Sequence, residues 1–313
     1  RVAFGAIRVD STQYLGDRYN LIQLGSTREL LFRDTLQANP HTYHAAIFGG
    51  IRYEADSTAL ASARRDSLSA DGDTWAEYAL RHQERAQRGN TWTYLPGTAI
   101  EAESVSAGLR KQHLRTDTYT GFAASEEAFK SLATGKTSPD ILHIATHGFF
   151  FPDPKDTLKR SAFAFGEQGG AFKIAGDPLV RSGLILAGAN HAWQTGYPYA
   201  GREDGILTAY EIAHLDLSNT KLAVLSACET GLGDIVGSEG VYGLQRAFRI
   251  AGVQYLLMSL WKVPDEQTAQ LMRLFYRYWL DEGQDIRQAL RQAQQDMAKK
   301  YPPEYWAGFV LVE

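Results

Sequence analysis

Short runs of apolar, aromatic and β-branched residues recur along the chain and predict buried β-strands. In the region after residue 90 these runs lie at 91–95, 117–122, 141–146, 222–227, 254–260 and 306–312. Helical periodicity between them predicts helices over 101–111, 125–132, 240–251, 266–280 and 286–299, with Ser125 and Asp285 placed as caps. Apolar strands separated by helices indicate an α/β fold with a mainly parallel central sheet and helices on both faces.

Residues 1–90 follow a less regular pattern. Strand-like runs at 19–24 and 43–53 flank a helix-like piece at 28–37, and a polar stretch of mixed charge fills 55–90. We therefore predict a smaller unit over 1–90 and a larger domain over 91–313. The chain begins at Arg1 with a strand-like segment instead of a secretory leader, so we expect no signal peptide and a chain cut from a longer one.

A long insert, 149–202, interrupts the regular alternation of the larger domain, although 184–187 has the pattern of a short strand. Long irregular loops in compact domains are typically functional or disordered. We hypothesise that this insert, or the glycine-rich loop 231–237, reorganises when the protein is activated.

Composition and charge exclude several classes of function. The 313 residues are 44% hydrophobic and 22% charged, which is typical of a folded globular protein. The net charge is −4 without a block of like charges, so neither a nucleic-acid footprint nor a polybasic membrane anchor is expected. The most apolar stretch, 253–261, falls well short of the roughly 20 residues that cross a bilayer. A single cysteine, Cys228, excludes an internal disulfide framework and a cysteine-based zinc site, and is compatible with a cytoplasmic protein.

Two predicted strands end in reactive residues. The run 141–146 leads into His147 and Gly148, and the run 222–227 leads into Cys228. If the two strands are neighbours, His147 can accept the thiol proton and generate a nucleophilic thiolate. The backbone amides of Gly148 and Cys228 are candidate oxyanion donors, because glycine leaves a backbone N–H unobstructed. The alternative, a buried cysteine that acts only as a small hydrophobe, stays open on the pattern alone.

Other candidate residues favour structural interpretations. His143 lies inside the predicted strand of His147 and is interpreted as a core histidine. The glycines at 231, 233 and 237 do not have the G-x-G-x-x-G spacing of a dinucleotide turn and lie among acidic residues, so no nucleotide or other cofactor is predicted. No third ligand accompanies the H-x-x-H pair at 41–44, and no metal site is predicted. Glu203 and Asp204 are typical of solvated loop charges.

Four blocks of this sequence, in order, resemble the CHAT domain family. They are ILHIATHG at 141–148, LAVLSACETGLG at 222–233, GVYGLQRAFRIAG at 240–252 and SLWKVPD at 259–265. CHAT domains are bacterial caspase-like cysteine peptidases of the clan that contains caspases, gingipains and separase. The resemblance runs from about residue 92 to 309, and 1–55 more weakly resembles the degenerate caspase-like half that often precedes the active half.

The resemblance implies a caspase-like cysteine endopeptidase with a Cys-His dyad and no third residue to orient the imidazole. His147 is the implied general base and Cys228 the implied nucleophile. The implied substrate-binding residues are Ser226 in the S1 pocket, the segment Ser259, Leu260 and Trp261 along the substrate backbone, and the nearby Asp265. Separase has an acid directly after the equivalent tryptophan, whereas this chain has Lys262 there.

The resemblance also implies partners. CHAT proteases commonly accompany tetratricopeptide or other sensor modules, and they act in bacterial defence by cleaving a protein such as a bacterial gasdermin or a regulator. We therefore expect a gated protease with a protein substrate and a sensor module, without direct nucleic-acid or membrane binding. The alternative is a caspase-like interaction scaffold that has lost catalysis.

Overall fold

A computed structural model describes most of the larger predicted domain and part of the smaller one. The described residues are 4–10, 13–19, 21, 43–54, 91–133, 138–151, 177, 179–226, 228–229, 239–261 and 263–313, and at positions 17, 228–229, 239–242 and 265 only the backbone is described. Several predicted segments lie outside these residues: the helix at 28–37, the polar stretch 55–90, the loop 231–237, much of the insert 149–202 and most of the strand at 19–24.

Ten strands are present in the described residues. In chain order they are β1 (His44–Ile51), β2 (Arg115–Gly121), β3 (Ile141–Ile144), β4 (His147–Phe150), β5 (Ser182–Ile185), β6 (Ile206–Thr208), β7 (Leu222–Leu225), β8 (Cys228–Glu229), β9 (Tyr255–Ser259) and β10 (Phe309–Val312).

Helices separate most of these strands, as the periodicity predicts. They are α1 (Pro96–Lys111), α2 (Glu126–Leu132), α3 (Ala189–Thr195), α4 (Ala209–Ala213), α5 (Glu239–Ile250), α6 (Asp265–Tyr276) and α7 (Ile286–Ala298), and single turns lie at Phe4–Ala6, Leu15–Arg18 and Pro303–Tyr305. A π-helical turn, Arg277–Asp281, continues α6. The predicted caps are confirmed, because Ser125 accepts a hydrogen bond from the Ala128 amide and Asp285 accepts from the amides of Arg287 and Gln288. None of the helices in the described ranges is long and apolar enough to cross a membrane.

The strands form two sheets. The central sheet has six strands in the order β10-β9-β7-β3-β1-β2, all parallel except β10, which runs antiparallel to β9. The second sheet has four strands in the order β6-β5-β4-β8. The predicted mainly parallel α/β architecture is confirmed. Because β1 lies between β2 and β3, the central sheet continues across residue 90, and the border proposed there stays a prediction.

Both faces of the central sheet are buried. Successive residues of one strand alternate between two apolar clusters, as the pleat of a strand requires: Ala46 and Phe48 belong to one cluster, and Ala45 and Ile47 to the other. The helices α1, α6 and α7 contribute to the second cluster, whereas α2, α3, α4 and α5 contribute to the first. This double coverage explains why the strands are apolar along their length.

Two local predictions are wrong. Residues 91–95, predicted as a strand, belong to neither a helix nor a strand, and Pro96 directly after them opens α1. Proline suits the first turn of a helix because its missing N–H has no intrahelical partner there. The predicted strand 141–146 ends at Ile144, so His147 opens a separate strand in the second sheet.

Candidate functional site

His147 and Cys228 are paired by the backbone of the second sheet. Their preceding strands, β3 and β7, are parallel neighbours in the central sheet, where Ile144 is the partner of Leu225. The segments that follow β3 and β7 therefore leave the central sheet at the same edge. They pair again as β4 and β8, in which His147 is the direct partner of Cys228. Neighbouring strands lie about 4.8 Å apart, so the two residues begin from adjacent backbone positions.

The imidazole of His147 is buried and held by a backbone carbonyl. His147 is only 4% exposed, and its Nε2 atom lies 2.7 Å from the carbonyl oxygen of Thr93. Because a carbonyl can only accept, Nε2 carries the proton in this bond. In a neutral imidazole the proton-accepting nitrogen is then Nδ1. The resemblance implied no third residue at this dyad, and the structure adds the Thr93 carbonyl as an orienting group.

Two aromatic rings cover the imidazole. The ring centroids of Tyr53 and Trp92 lie 5.0 Å and 5.1 Å from that of His147. The Tyr53 hydroxyl lies 3.0 Å from the hydroxyl of Thr146, which donates in turn to the Ile185 carbonyl. His147 is therefore fixed by packing against two tilted aromatic rings and by a hydrogen bond at Nε2.

Ser226, two residues before Cys228, ends a buried polar network. Its hydroxyl donates to Glu101 Oε2 over 2.9 Å, and Glu101 Oε1 lies 2.9 Å from His143 Nε2. His143 Nδ1 lies 3.2 Å from the Tyr276 hydroxyl. Burial, and then the nearby Glu101 carboxylate, raise the pKa of the Tyr276 phenol, which stays protonated. The prediction that His143 is a core histidine is confirmed, since it is fully buried.

The segment expected to contact substrate continues from β9. Ser259 is the last residue of β9 and pairs with Phe309, and the Leu260 amide donates to the Gly308 carbonyl. Trp261 is anchored because its indole N–H donates to the Glu304 carbonyl over 2.8 Å. These contacts hold the segment beside the end of β7, because β9 pairs with β7 as far as Met258 and Leu225.

Asp265 lies at the start of α6, and Gly148 lies within β4. Asp265 is the first residue of α6, and Pro264 precedes it at the cap position, so Asp265 is not the cap of this helix. Gly148 lies in β4, between Leu184 of β5 and Glu229 of β8. The backbone of Gly148 is thus next to the short strand that contains Cys228.

Near the second sheet, three carboxylates surround the ammonium group of Lys130. Carboxylate oxygens of Glu126, Glu203 and Glu211 lie within 4.8 Å of one another. The Lys130 ammonium lies 2.8 Å from Glu126 and 3.0 Å from each of the other two carboxylates. Because this ammonium already supplies the positive charge that the cluster requires, we assign no metal to it.

Two residues beside the site were missed in the sequence. Glu101 could have been found, because it lies with Thr98, Ala102, Val105 and Leu109 on the buried stripe of α1, where an acid is unusual. The sequence around Thr93 contains no comparable indication of a role at the site. Thr93 contributes a backbone carbonyl, which any residue type could supply.

Comparison with known proteins finds similar sequences in human and mouse. It is 26% identical over 315 residues to a human protein named Tetratricopeptide repeat protein 28, and 26% identical over 307 residues to the mouse protein of that name. Each match covers 96% of this chain, which spans only 11% of the length of either relative. The CHAT domain family matches residues 1–313. Because that match covers the whole sequence, the chain belongs to the CHAT domain family.

Proposed function

We propose that this chain is a caspase-like cysteine endopeptidase in which Cys228 is the nucleophile and His147 the general base. The observation that supports this most directly is the backbone register that makes the two residues partners in adjacent parallel strands. Membership of the CHAT family supports the same class of activity.

The proposed reaction has two steps. Nδ1 of His147 accepts the thiol proton, and the Cys228 sulfur attacks the scissile carbonyl carbon, with the amides of Gly148 and Cys228 stabilising the oxyanion. The C–N bond then breaks as His147 returns the proton to the leaving amine. Water, deprotonated by His147, hydrolyses the acyl-enzyme and restores the thiol. The hydrogen bond from Nε2 to the Thr93 carbonyl supports this role, because it leaves Nδ1 as the basic nitrogen of the neutral ring.

Substrate contacts are proposed for the residues next to this dyad. An extended peptide is expected to lie along Ser259, Leu260 and Trp261, with main-chain hydrogen bonds as the source of affinity. Ser226 is expected to border the pocket for the residue before the scissile bond. Asp265, four positions after Trp261, is the acid proposed to contact the peptide.

The biological setting is proposed from the family and from the relatives' names. Two relatives are named for tetratricopeptide repeats, which favours a sensor module of that class as the partner of this domain. We propose that such a module gates cleavage of one protein substrate in the cytoplasm, in a bacterial defence or signalling system. A gasdermin-like protein or a regulator is the candidate substrate.

The dyad is tested through its thiol, because Cys228 is the only cysteine in the sequence. The rate of alkylation by iodoacetamide would be measured between pH 5.5 and 9 for the wild type, His147→Ala and the control His214→Ala. The control removes an exposed histidine at the end of α4, whose described side-chain contacts are with Tyr210 of the same helix. We expect the wild type and the control to react at pH 6–7, below the pKa of about 8.5 of a free cysteine, and His147→Ala to lose this reactivity.

Identical pH profiles for the wild type and His147→Ala would overturn the dyad. Endopeptidase activity is tested separately by cleavage of a peptide library, with Cys228→Ala as the inactive control. The rival interpretation, a scaffold without catalysis, is favoured by the burial of His147, which is 4% exposed. A scaffold would show neither the lowered thiol pKa nor Cys228-dependent cleavage.

A further inference from the structure

Asn190 joins the two chain segments that enclose His147. It is the second residue of α3 and is 1% exposed. Its backbone N–H donates to the Tyr53 carbonyl, and its side chain bonds to the backbone of Trp92. Tyr53 and Trp92 are the residues whose rings cover the imidazole.

The side chain of Asn190 takes the place of a strand partner. Its Oδ1 accepts from the Trp92 N–H over 2.8 Å, and its Nδ2 donates to the Trp92 carbonyl over 2.9 Å. A neighbouring strand would satisfy the N–H and the carbonyl of one residue in the same paired way. Residues 91–95 have no such strand, because they belong to no helix or strand. Nδ2 also donates to Glu54 Oε1 over 2.8 Å, which ties the amide to the end of the Tyr53 segment.

The position of Thr93 depends on this contact. Thr93 directly follows Trp92, and its carbonyl oxygen accepts from Nε2 of His147. Irregular backbone has no ladder of its own to fix the direction of a carbonyl. In the described contacts, the paired hydrogen bonds to Trp92 fix the peptide plane immediately before Thr93. The helix α3 adds a second anchor, since the Trp193 ring packs edge-on against the Trp92 ring at 5.0 Å.

We propose that Asn190 is a positioning residue for the general base. It fixes residues 92–93 so that the Thr93 carbonyl selects the His147 tautomer with the proton on Nε2 and the basic lone pair on Nδ1. This inference rests on the proposed function for its catalytic consequence. Its structural part concerns only the imidazole, and it is measurable without a substrate.

The direct test is the tautomer of His147, observed by nitrogen-15 NMR of histidine-labelled protein. The His147 signals are assigned by their loss in His147→Ala. We expect the wild type to show the Nε2–H form alone when the ring is neutral, and Asn190→Ala to show a mixture of both tautomers. Asn190→Asp is the isosteric variant, because it keeps the oxygen that accepts from Trp92 but replaces both donated bonds by acceptor–acceptor contacts with the Trp92 carbonyl and Glu54 Oε1. It should show a mixture of tautomers even if Asn190→Ala does not fold.

The matched control is Asn219→Ala. Asn219 also donates through Nδ2 to a backbone carbonyl, that of Ser138, over 2.7 Å, but it precedes β7 at the opposite edge of the sheet from Cys228. We expect it to leave the His147 tautomer unchanged. A pure Nε2–H form in both Asn190 variants would overturn the inference.

Kinetics separate this inference from the proposed function. With a cleaved peptide, Asn190→Asp should lower kcat by about 10²-fold, the effect of a small misplacement of a catalytic group, and leave KM nearly unchanged. The pH profile of Cys228 alkylation should shift towards that of His147→Ala. If His147→Ala itself alkylates like the wild type, the proposed dyad fails, and the tautomer measurement still decides the role of Asn190.

Discussion

Loss of Lys130 should destabilise the second sheet. Its ammonium lies among Glu126, Glu203 and Glu211 at 2.8 to 3.0 Å, and the Glu126 side chain is only 1% exposed. Glu126 also accepts from the Gly205 amide, and β6 begins at Ile206. The cluster thus anchors the outer strand of the sheet that contains His147 and Cys228.

The free-energy cost of Lys130→Met follows from these contacts. At 3 Å and an effective dielectric constant of about 20, one ion pair has a Coulomb energy of roughly 5 kcal/mol, most of which offsets desolvation. Removing one partner of a buried pair leaves the other charge uncompensated and costs about 3–5 kcal/mol. We therefore expect Lys130→Met to lower the free energy of unfolding by about 3–5 kcal/mol at pH 8.

The free-energy cost of Lys130→Met should be smaller at lower pH. Burial, and then the nearby Glu211 carboxylate, raise the pKa of Asp204 to about 7, and burial raises that of Glu126 well above its usual range. An acid whose folded pKa is raised binds its proton more tightly in the folded state. Its contribution to stability is full below the unfolded pKa of about 4 and is lost as the pH rises to about 7. At pH 5 Asp204 is largely protonated, and Glu126 is more protonated than at pH 8, so the cost of Lys130→Met should be smaller than at pH 8.

Urea unfolding at pH 5 and pH 8 measures the free-energy cost of Lys130→Met and its dependence on pH. Lys299→Met is the matched control, because Lys299 makes a similar short-range helix pair with Asp296 at 2.7 Å but has a side chain that is 70% exposed. We expect no measurable loss for the control, since exposed pairs contribute little. A cost for Lys130→Met below about 1 kcal/mol at pH 8 would refute the reasoning on burial. An equal cost at the two pH values would refute the assignment of raised carboxyl pKa values.

Two further substitutions test other parts of the structure. Ser226→Ala should destabilise the fold by about 1–3 kcal/mol, since it leaves buried Glu101 Oε2 without its donor, and Ser226→Thr should restore most of this loss in thermal unfolding. Full stability of Ser226→Ala would contradict the network. Gly205→Ala should lower the melting temperature, because Gly205 has φ +76° and an added Cβ would lie 2.8 Å from the Ala187 carbonyl oxygen. Gly201→Ala, at φ +71° with open space around it, is the control that isolates the steric part.

The two acids directly after the insert, Glu203 and Asp204, show where local patterns are insufficient. Glu203 and Asp204 have the sequence context of solvated loop charges, but Asp204 is 9% exposed and its carboxylate accepts from the Ile206 amide. The prediction is wrong for Asp204. A polar sequence context indicates that a side chain prefers water, but it does not indicate whether the fold supplies buried hydrogen-bond partners instead. One of the charges that act on the buried Asp204 carboxyl is that of Lys130, which lies 74 positions earlier in the sequence.

Residues 91–95 show a similar limit. Their apolar and polar alternation is typical of a strand, yet a strand also needs a partner backbone at the right distance. Asn190 supplies those hydrogen bonds instead, from 98 positions away. The alternation therefore correctly indicated that Trp92 is buried, but it could not indicate what the backbone pairs with.

The sequence by itself determined the α/β fold and the order of strands, helices and reactive residues. These properties depend on local apolar runs and helical periodicity, and His147 and Cys228 each follow such a run directly. Only the tertiary structure decided the register that makes the two residues partners and the carbonyl that orients the imidazole. The register joins backbone positions 81 apart, His147 and Cys228, and the orienting carbonyl of Thr93 lies 54 positions before His147. Backbone groups are the same in every residue, so the side-chain pattern contains no record of the register or of that carbonyl.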